Sequence, residues 1–118
     1  MDRSHFIVIY GRDPRLIETR ISVLETAGFD VVGVTALPPL KKILTTKPTE
    51  LLVLCHSLTT QERRAALEVE RSLRPDMKVI VMSEPTSNHF FLPEEVVLPA
   101  HAGPRMLVET AQRLLAAS

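Results

Sequence analysis

No tryptophan occurs in this chain, and its aromatic side chains are one tyrosine and four phenylalanines. That is too few rings for a surface that stacks unpaired bases. A single cysteine permits no internal disulfide framework. The 14 Lys and Arg are balanced by 14 Asp and Glu, so no overall field exists to hold a phosphate backbone or an anionic membrane. No apolar run approaches the length that crosses a bilayer, and the amino terminus lacks the basic-then-apolar pattern of a secretory signal. A cytoplasmic protein is expected, with neither nucleic acid nor membrane as its partner. No segment repeats and none has the composition of a linker. The 118 residues are read as one domain, 1–118, large enough for a self-sufficient core.

What is present is alternation. Leu51-Leu52-Val53-Leu54-Cys55-His56 is an apolar run without polar alternation that ends in two residues able to do chemistry. Such a run predicts a strand buried on both faces, at the centre of a parallel sheet flanked by helices. His5 to Tyr10 reads as an earlier strand of the same kind, punctuated by Gly11-Arg12-Asp13-Pro14. Asp13 then caps a helix whose first residue is Pro14, with Leu16, Ile17, Ile21, Leu24 and Ala27 turned inward and Gly28 as a left-handed stop. Asp30 to Val34 is a strand, and Pro38-Pro39 opens a short helix burying Leu40, Ile43 and Leu44.

After the central strand, Thr59 and Glu62 form a capping box for a helix running to about Leu73, with Ala66, Val69 and Leu73 inward. Val79 to Ser83 is a fourth strand. Residues 84–95 hold two prolines and a Thr-Ser-Asn cluster, which predicts a loop with at most a turn or two of helix. Val96 to Leu98 is a short fifth strand ending at Pro99. Gly103-Pro104 opens a last helix with Leu107, Ala111 and Leu114 inward. Right-handed crossovers then predict an α/β, doubly wound parallel sheet in the order 2-1-3-4-5, its reversal lying between the first and third strands. Ligands of such sheets sit outside the carboxyl ends of the strands, which here carry Gly11, Arg12, Asp13, Cys55, Ser83 and Pro99.

This order of elements resembles the receiver domain of two-component response regulators, of the flavodoxin-like or CheY-like fold. The Asp-Pro opening of the first helix, the Ala-Gly-Phe-Asp-Val-Val lead into the second strand, the Pro-Thr-Glu-Leu-Leu-Val-Leu approach to the third and Ser83 after the fourth all carry the likeness. In that family an acidic pair after the first strand holds Mg²⁺, an Asp ending the third strand accepts a phosphoryl group, a hydroxyl ends the fourth strand, and a Lys precedes a Pro after the fifth. Each choice has a chemical reason. A hard cation wants carboxylate oxygens, the phosphoryl group needs a nucleophile, and hydroxyl and ammonium read the new charge.

The sequence departs from that pattern at nearly every active position. The acidic pair falls on Gly11 and Arg12, Asp13 matches a less strict third position, the acceptor falls on Cys55, and the aromatic switch position falls on Glu95. The Lys position falls on Leu98, and no lysine follows Lys78 anywhere. Ser83 and Pro99 alone match. A thiol does not replace an acyl-phosphate acceptor, and one carboxylate beside a guanidinium holds Mg²⁺ poorly. A degenerate receiver is therefore expected, with no enzymatic activity, no cofactor and Mg²⁺ binding lost.

Cys55 reads first as a small buried hydrophobe. The sharper alternative is a redox-sensing thiol activated by Arg12. Arg12 reads as a solvated side chain, or as a built-in cation pairing with Asp13 or Glu84. His56 and His101 flank the strand ends without recognised metal-ligand spacing. Function is expected to lie in binding another protein, or a second copy, through the face made by the fourth strand, the fifth strand and the last helix. Phe90, Phe91, Leu92, Leu107 and Arg113 are the residues expected there. A phosphorelay receiver with an unusual acceptor, Ser83 or Asp13, is the remaining alternative.

Overall fold

Backbone groups inside a buried apolar run can satisfy their hydrogen bonds only with each other, and here five such runs do so side by side. The structure is a computed structural model and describes residues 5–83, 95–99 and 102–116. Its elements are β1 (Phe6–Tyr10), α1 (Pro14–Thr26), β2 (Asp30–Val34), α2 (Leu37–Thr46), β3 (Leu51–Leu54), α3 (Thr60–Leu73), β4 (Lys78–Ser83), β5 (Glu95–Pro99) and α4 (Pro104–Ala116). The strands form one parallel sheet in the order β2-β1-β3-β4-β5, as the alternation predicts. Register brings Tyr10 beside Val34 and Leu54, and Ser83 beside Pro99. The carboxyl ends of all five strands thus lie along one rim.

Successive strand residues point to opposite faces, so the sheet carries two apolar layers. On one face Ile7, Ile9, Leu51, Val53, Ile80 and Met82 meet Ile17 and Leu24 of α1 and Leu107, Ala111 and Leu115 of α4. On the other, Val8, Leu52, Leu54, Val79 and Val81 meet Leu40 and Leu44 of α2 and Ala66 and Val69 of α3. Gly33 lets α1 sit close on β2: a Cβ there would lie 2.3 Å from the Ile17 Cγ2 methyl.

Local chemistry sets the helix ends. Asp13 accepts from the Arg15 N–H at 3.0 Å and Pro14 opens α1. Gly28 follows the helix at φ 100°, the left-handed region where an L side chain is strained. Thr59 and Glu62 form the expected box, with the Thr59 hydroxyl accepting from the Glu62 N–H at 3.1 Å and the Glu62 carboxylate from the Thr59 N–H at 2.8 Å.

Several side chains depart from the expected pattern. Leu73, the last residue of α3, is 42% exposed. Leu16, Ile21, Ala27 and Ile43 are half-buried, lying at the margins of their apolar stripes. In α4 it is Leu115 that is fully buried, while Leu114 is half-buried at the edge of the layer. β3 ends at Leu54, so Cys55 stands just beyond it. Of the loop expected over residues 84–95, Glu95 instead opens β5, and residues 84–94 lie outside the described residues, as do Phe90, Phe91, Leu92 and His101.

Candidate functional site

The rim at the reversal between β1 and β3 is where the sequence places its chemistry. The Cys55 N–H donates to the Tyr10 carbonyl at 2.9 Å, extending the β1–β3 ladder by one residue, and the Gly11 N–H donates to the Val34 carbonyl at 3.2 Å. The first bond ties the end of β1 to β3 and the second ties it to β2. A Cβ on Gly11 would lie 2.8 Å from the Cys55 Cβ and 3.0 Å from its Sγ, so the glycine is what lets the cysteine pack against the backbone. Cys55 is 1% exposed and belongs to the apolar layer under α1 and α4. Burial pushes its thiol pKa up, the nearby Arg20 guanidinium opposes that, and the Asp13 carboxylate adds to it.

Leu98, at the position where the resemblance implies a lysine, is 6% exposed and shares that layer with Cys55 and Met82. Ser83 is buried at the end of β4, beside Pro99 of β5. Glu95 begins β5 with its backbone paired to Val79. His56 is half-buried just past Cys55.

The charged residues of the loop after β1 are already engaged. Arg12 turns outward, where its Nε donates to Glu62 Oε2 at 3.0 Å, and its backbone N–H donates to the Ser57 hydroxyl at 2.9 Å. Among the described residues its ion-pair partner is Glu62 of α3 and not the expected Asp13, while Glu84 lies outside the described residues. Asp13 is committed to the α1 cap. Glu62 is held below the usual carboxylate range, first by the Thr59 N–H, then by the Thr59 side chain and Arg12, against a smaller opposing push from burial. The Tyr10 phenol is pushed up by burial and by Glu62, with Arg12 partly offsetting both. Among the described residues no three His, Cys, Asp or Glu side chains gather as a metal-ion site would require.

From sequence alone Glu62 reads only as a helix cap and Arg20 as an ordinary helix charge. In the structure Arg20 is 8% exposed on the face of α1 that packs over the Cys55 layer, and its positive charge opposes the rise in the Cys55 thiol pKa. Its signal in the sequence is positional, since it lies three residues after Ile17 and four before Leu24 on the stripe that α1 buries. Of the side chains expected on a partner face, Leu107 is 2% exposed. It packs under α4 in the core and is not available for contact. Arg113 is exposed on α4, and Met106 on α4 and Val97 on β5 are exposed apolar groups at 47% and 41%.

By sequence, no protein-family model matches the chain, and no curated protein matches it either. By structure, it superposes on a response regulator receiver protein from Sinorhizobium medicae WSM419 with a TM-score of 0.80 at 18% identity, over 98% of this chain and 97% of that one. A CheY-like receiver domain protein from Methanospirillum hungatei JF-1 gives 0.77 at 20% identity, over 98% and 96%. A sensor protein from Polaromonas sp. JS666 gives 0.81 at 18% identity, over 98% of each. The chain has the CheY-like receiver fold over essentially its whole length. No helix among the described residues is long and apolar enough to cross a membrane.

Proposed function

We propose that this chain is a receiver-like signalling module that acts by engaging another protein and does not itself accept a phosphoryl group. The observation that carries the reading is the packing of Cys55 and Leu98 into one apolar layer. The two positions where the fold's known chemistry would need a nucleophile and a cation are here part of the core. A phosphoryl group would find no carboxylate at position 55 and no ammonium at position 98, both of which are closed off in the apolar layer. The donor set also fits Mg²⁺ poorly. Gly11 offers no side chain, Arg12 is itself a cation tied to Glu62, and the Asp13 carboxylate is taken by the helix cap. For the same reason Asp13 is a poor alternative acceptor.

The redox-sensor reading is weaker. Arg20 beside Cys55 favours a thiolate, but burial outweighs it and the sulfur is closed to solvent. The partner face is proposed on β5 and the outer side of α4, where Val97, Met106 and Arg113 are exposed.

Paired heteronuclear NMR spectra without and with Mg²⁺ and beryllofluoride test the proposal at the amides of Arg12, Cys55 and Ser83. No displacement is expected. Saturable shifts at those amides would overturn it.

A further inference from the structure

The two helical layers differ in surface charge, although the chain as a whole is neutral. On α1 and α4 the exposed charges balance, Arg15, Arg105 and Arg113 standing against Glu18, Glu25 and Glu109. On α2 and α3 they do not. Lys41, Lys42, Arg64 and Arg71 are exposed there against Glu68 alone, and the half-buried Glu62 is engaged by Arg12.

Between the same two helices runs a groove of about 450 Å³. One row of each helix faces it, Leu37, Lys41 and Thr45 on α2 and Ala65, Val69 and Leu73 on α3. The lining is largely apolar. Leu37 is half-buried, Leu73 is an exposed apolar group, and the Thr45 hydroxyl already donates to the Lys41 carbonyl at 2.7 Å. Lys41 and Glu68 line the groove with opposite charges, so the excess is carried by Lys42, Arg64 and Arg71 on the neighbouring exposed rows. The groove is preformed. Arg74, just after α3, donates from Nε to the Leu44 carbonyl at 3.1 Å and from Nη2 to the Lys47 carbonyl at 2.9 Å, fixing the carboxyl ends of the two helices together.

We infer that the α2–α3 groove is a docking surface for an acidic amphipathic helix of a partner protein. The exposed cations set the sign of the partner's flanks, and the apolar lining calls for a matching apolar stripe. The partner's secondary structure follows from the backbone. The N–H and C=O groups in the middle of α2 and α3 are paired within their helices, so an extended segment would find no backbone partners there, whereas a helix satisfies its own. Each lining row spans about 12 Å, which a partner helix matches with apolar side chains at i, i+4 and i+7. The surface lies on the opposite face of the sheet from α4, so it is distinct from the face proposed above and does not depend on it.

The test is titration of the isotope-labelled chain, followed by its amide shifts, with Ala-based helical peptides of about 18 residues carrying Leu at i, i+4 and i+7 and flanked by Glu or by Lys. The Glu-flanked peptide is expected to give saturable shifts at Lys41, Ala65, Val69 and Leu73 and none on α4. The Lys-flanked peptide, and a Glu-flanked peptide with Ser in place of Leu, should bind at least about ten-fold more weakly. Lys42→Glu combined with Arg71→Glu alters exposed side chains only and should weaken the first peptide by about the same factor, as should Leu73→Ser. Absence of saturable binding by the Glu-flanked Leu peptide overturns the inference, as does undiminished binding by the variants or equal binding of the Lys-flanked peptide. Equal binding without Leu, or tighter binding at the same amides of a single-stranded DNA of about 15 nucleotides, would make this a general anion surface and overturns it as well. Shifts at these amides on concentrating the chain alone would assign the groove to a second copy and overturn it likewise.

Discussion

Glu62 serves two partners with its two carboxylate oxygens. One accepts from the Thr59 N–H and closes the α3 capping box, while the other accepts from Arg12 and ties the loop after β1 to α3. Glu62→Gln keeps an amide oxygen for the cap and removes the charge, so it isolates the ion pair from the box. Arg12 is well exposed, so solvent screening limits the pair to less than about 1 kcal/mol at neutral pH. The sign of its pH dependence follows from the lowered carboxyl value. A depressed folded pKa contributes stability above the unfolded value of about 4.3, and that contribution is lost as the pH falls through the folded one. The stability gap between the native chain and Glu62→Gln, measured by urea unfolding, is therefore expected to be constant near neutrality. It should close on acidification and shrink with added salt. A gap that persists unchanged at about pH 3 would mean the carboxylate contributes through geometry alone.

At the scale of elements, α1 packs closely on β2 over Gly33. A methyl on Gly33 would meet the Ile17 Cγ2 at 2.3 Å and the Ile21 Cδ1 at 3.0 Å. Ile17 is β-branched and cannot rotate that methyl away within a helix. Gly33→Ala should therefore push α1 off the sheet, at a cost of about 1–3 kcal/mol. Combined with Ile17→Ala, which opens the space the new methyl needs, the loss should be clearly smaller than the sum of the two single losses. Strict additivity in urea melts would show that the helix moves freely and that the glycine is incidental. Gly33 also marks a limit of what was legible in the chain. The strand, the helix and their order could be read from periodicity and capping residues, because those signals are local. The close approach that makes this glycine necessary could not, since it depends on how two elements meet. Arg20 was missed for a related reason: a charge on a helix is ordinarily solvated, and only the neighbouring sheet shows that this one is not. Cys55 and Leu98 were legible as departures, but their joining in one apolar layer required the register of β3, β4 and β5.

Across the whole molecule, the strand-end site has no structural independence from the core. The Cys55 N–H is bonded to the Tyr10 carbonyl at the end of β1, and its sulfur lies in the layer shared by Met82, Leu98 and Leu107. Exposing that sulfur requires α1 or α4 to lift from the sheet, which removes one of the two apolar layers that hold the domain together. In a fold of this size such an opening is expected to coincide with cooperative unfolding. Labelling of Cys55 by a bulky thiol reagent should then yield the same opening free energy as amide exchange at Ile9 and Val53, and the same dependence on urea. This outcome would place Cys55 among the structural residues and leave the exposed face of β5 and α4 as the route to function. Labelling that outruns core exchange and ignores urea would mean that the rim opens by itself while the domain stays folded. The sulfur would then be reachable in the native chain with Arg20 beside it, and the redox reading would displace the partner-binding one.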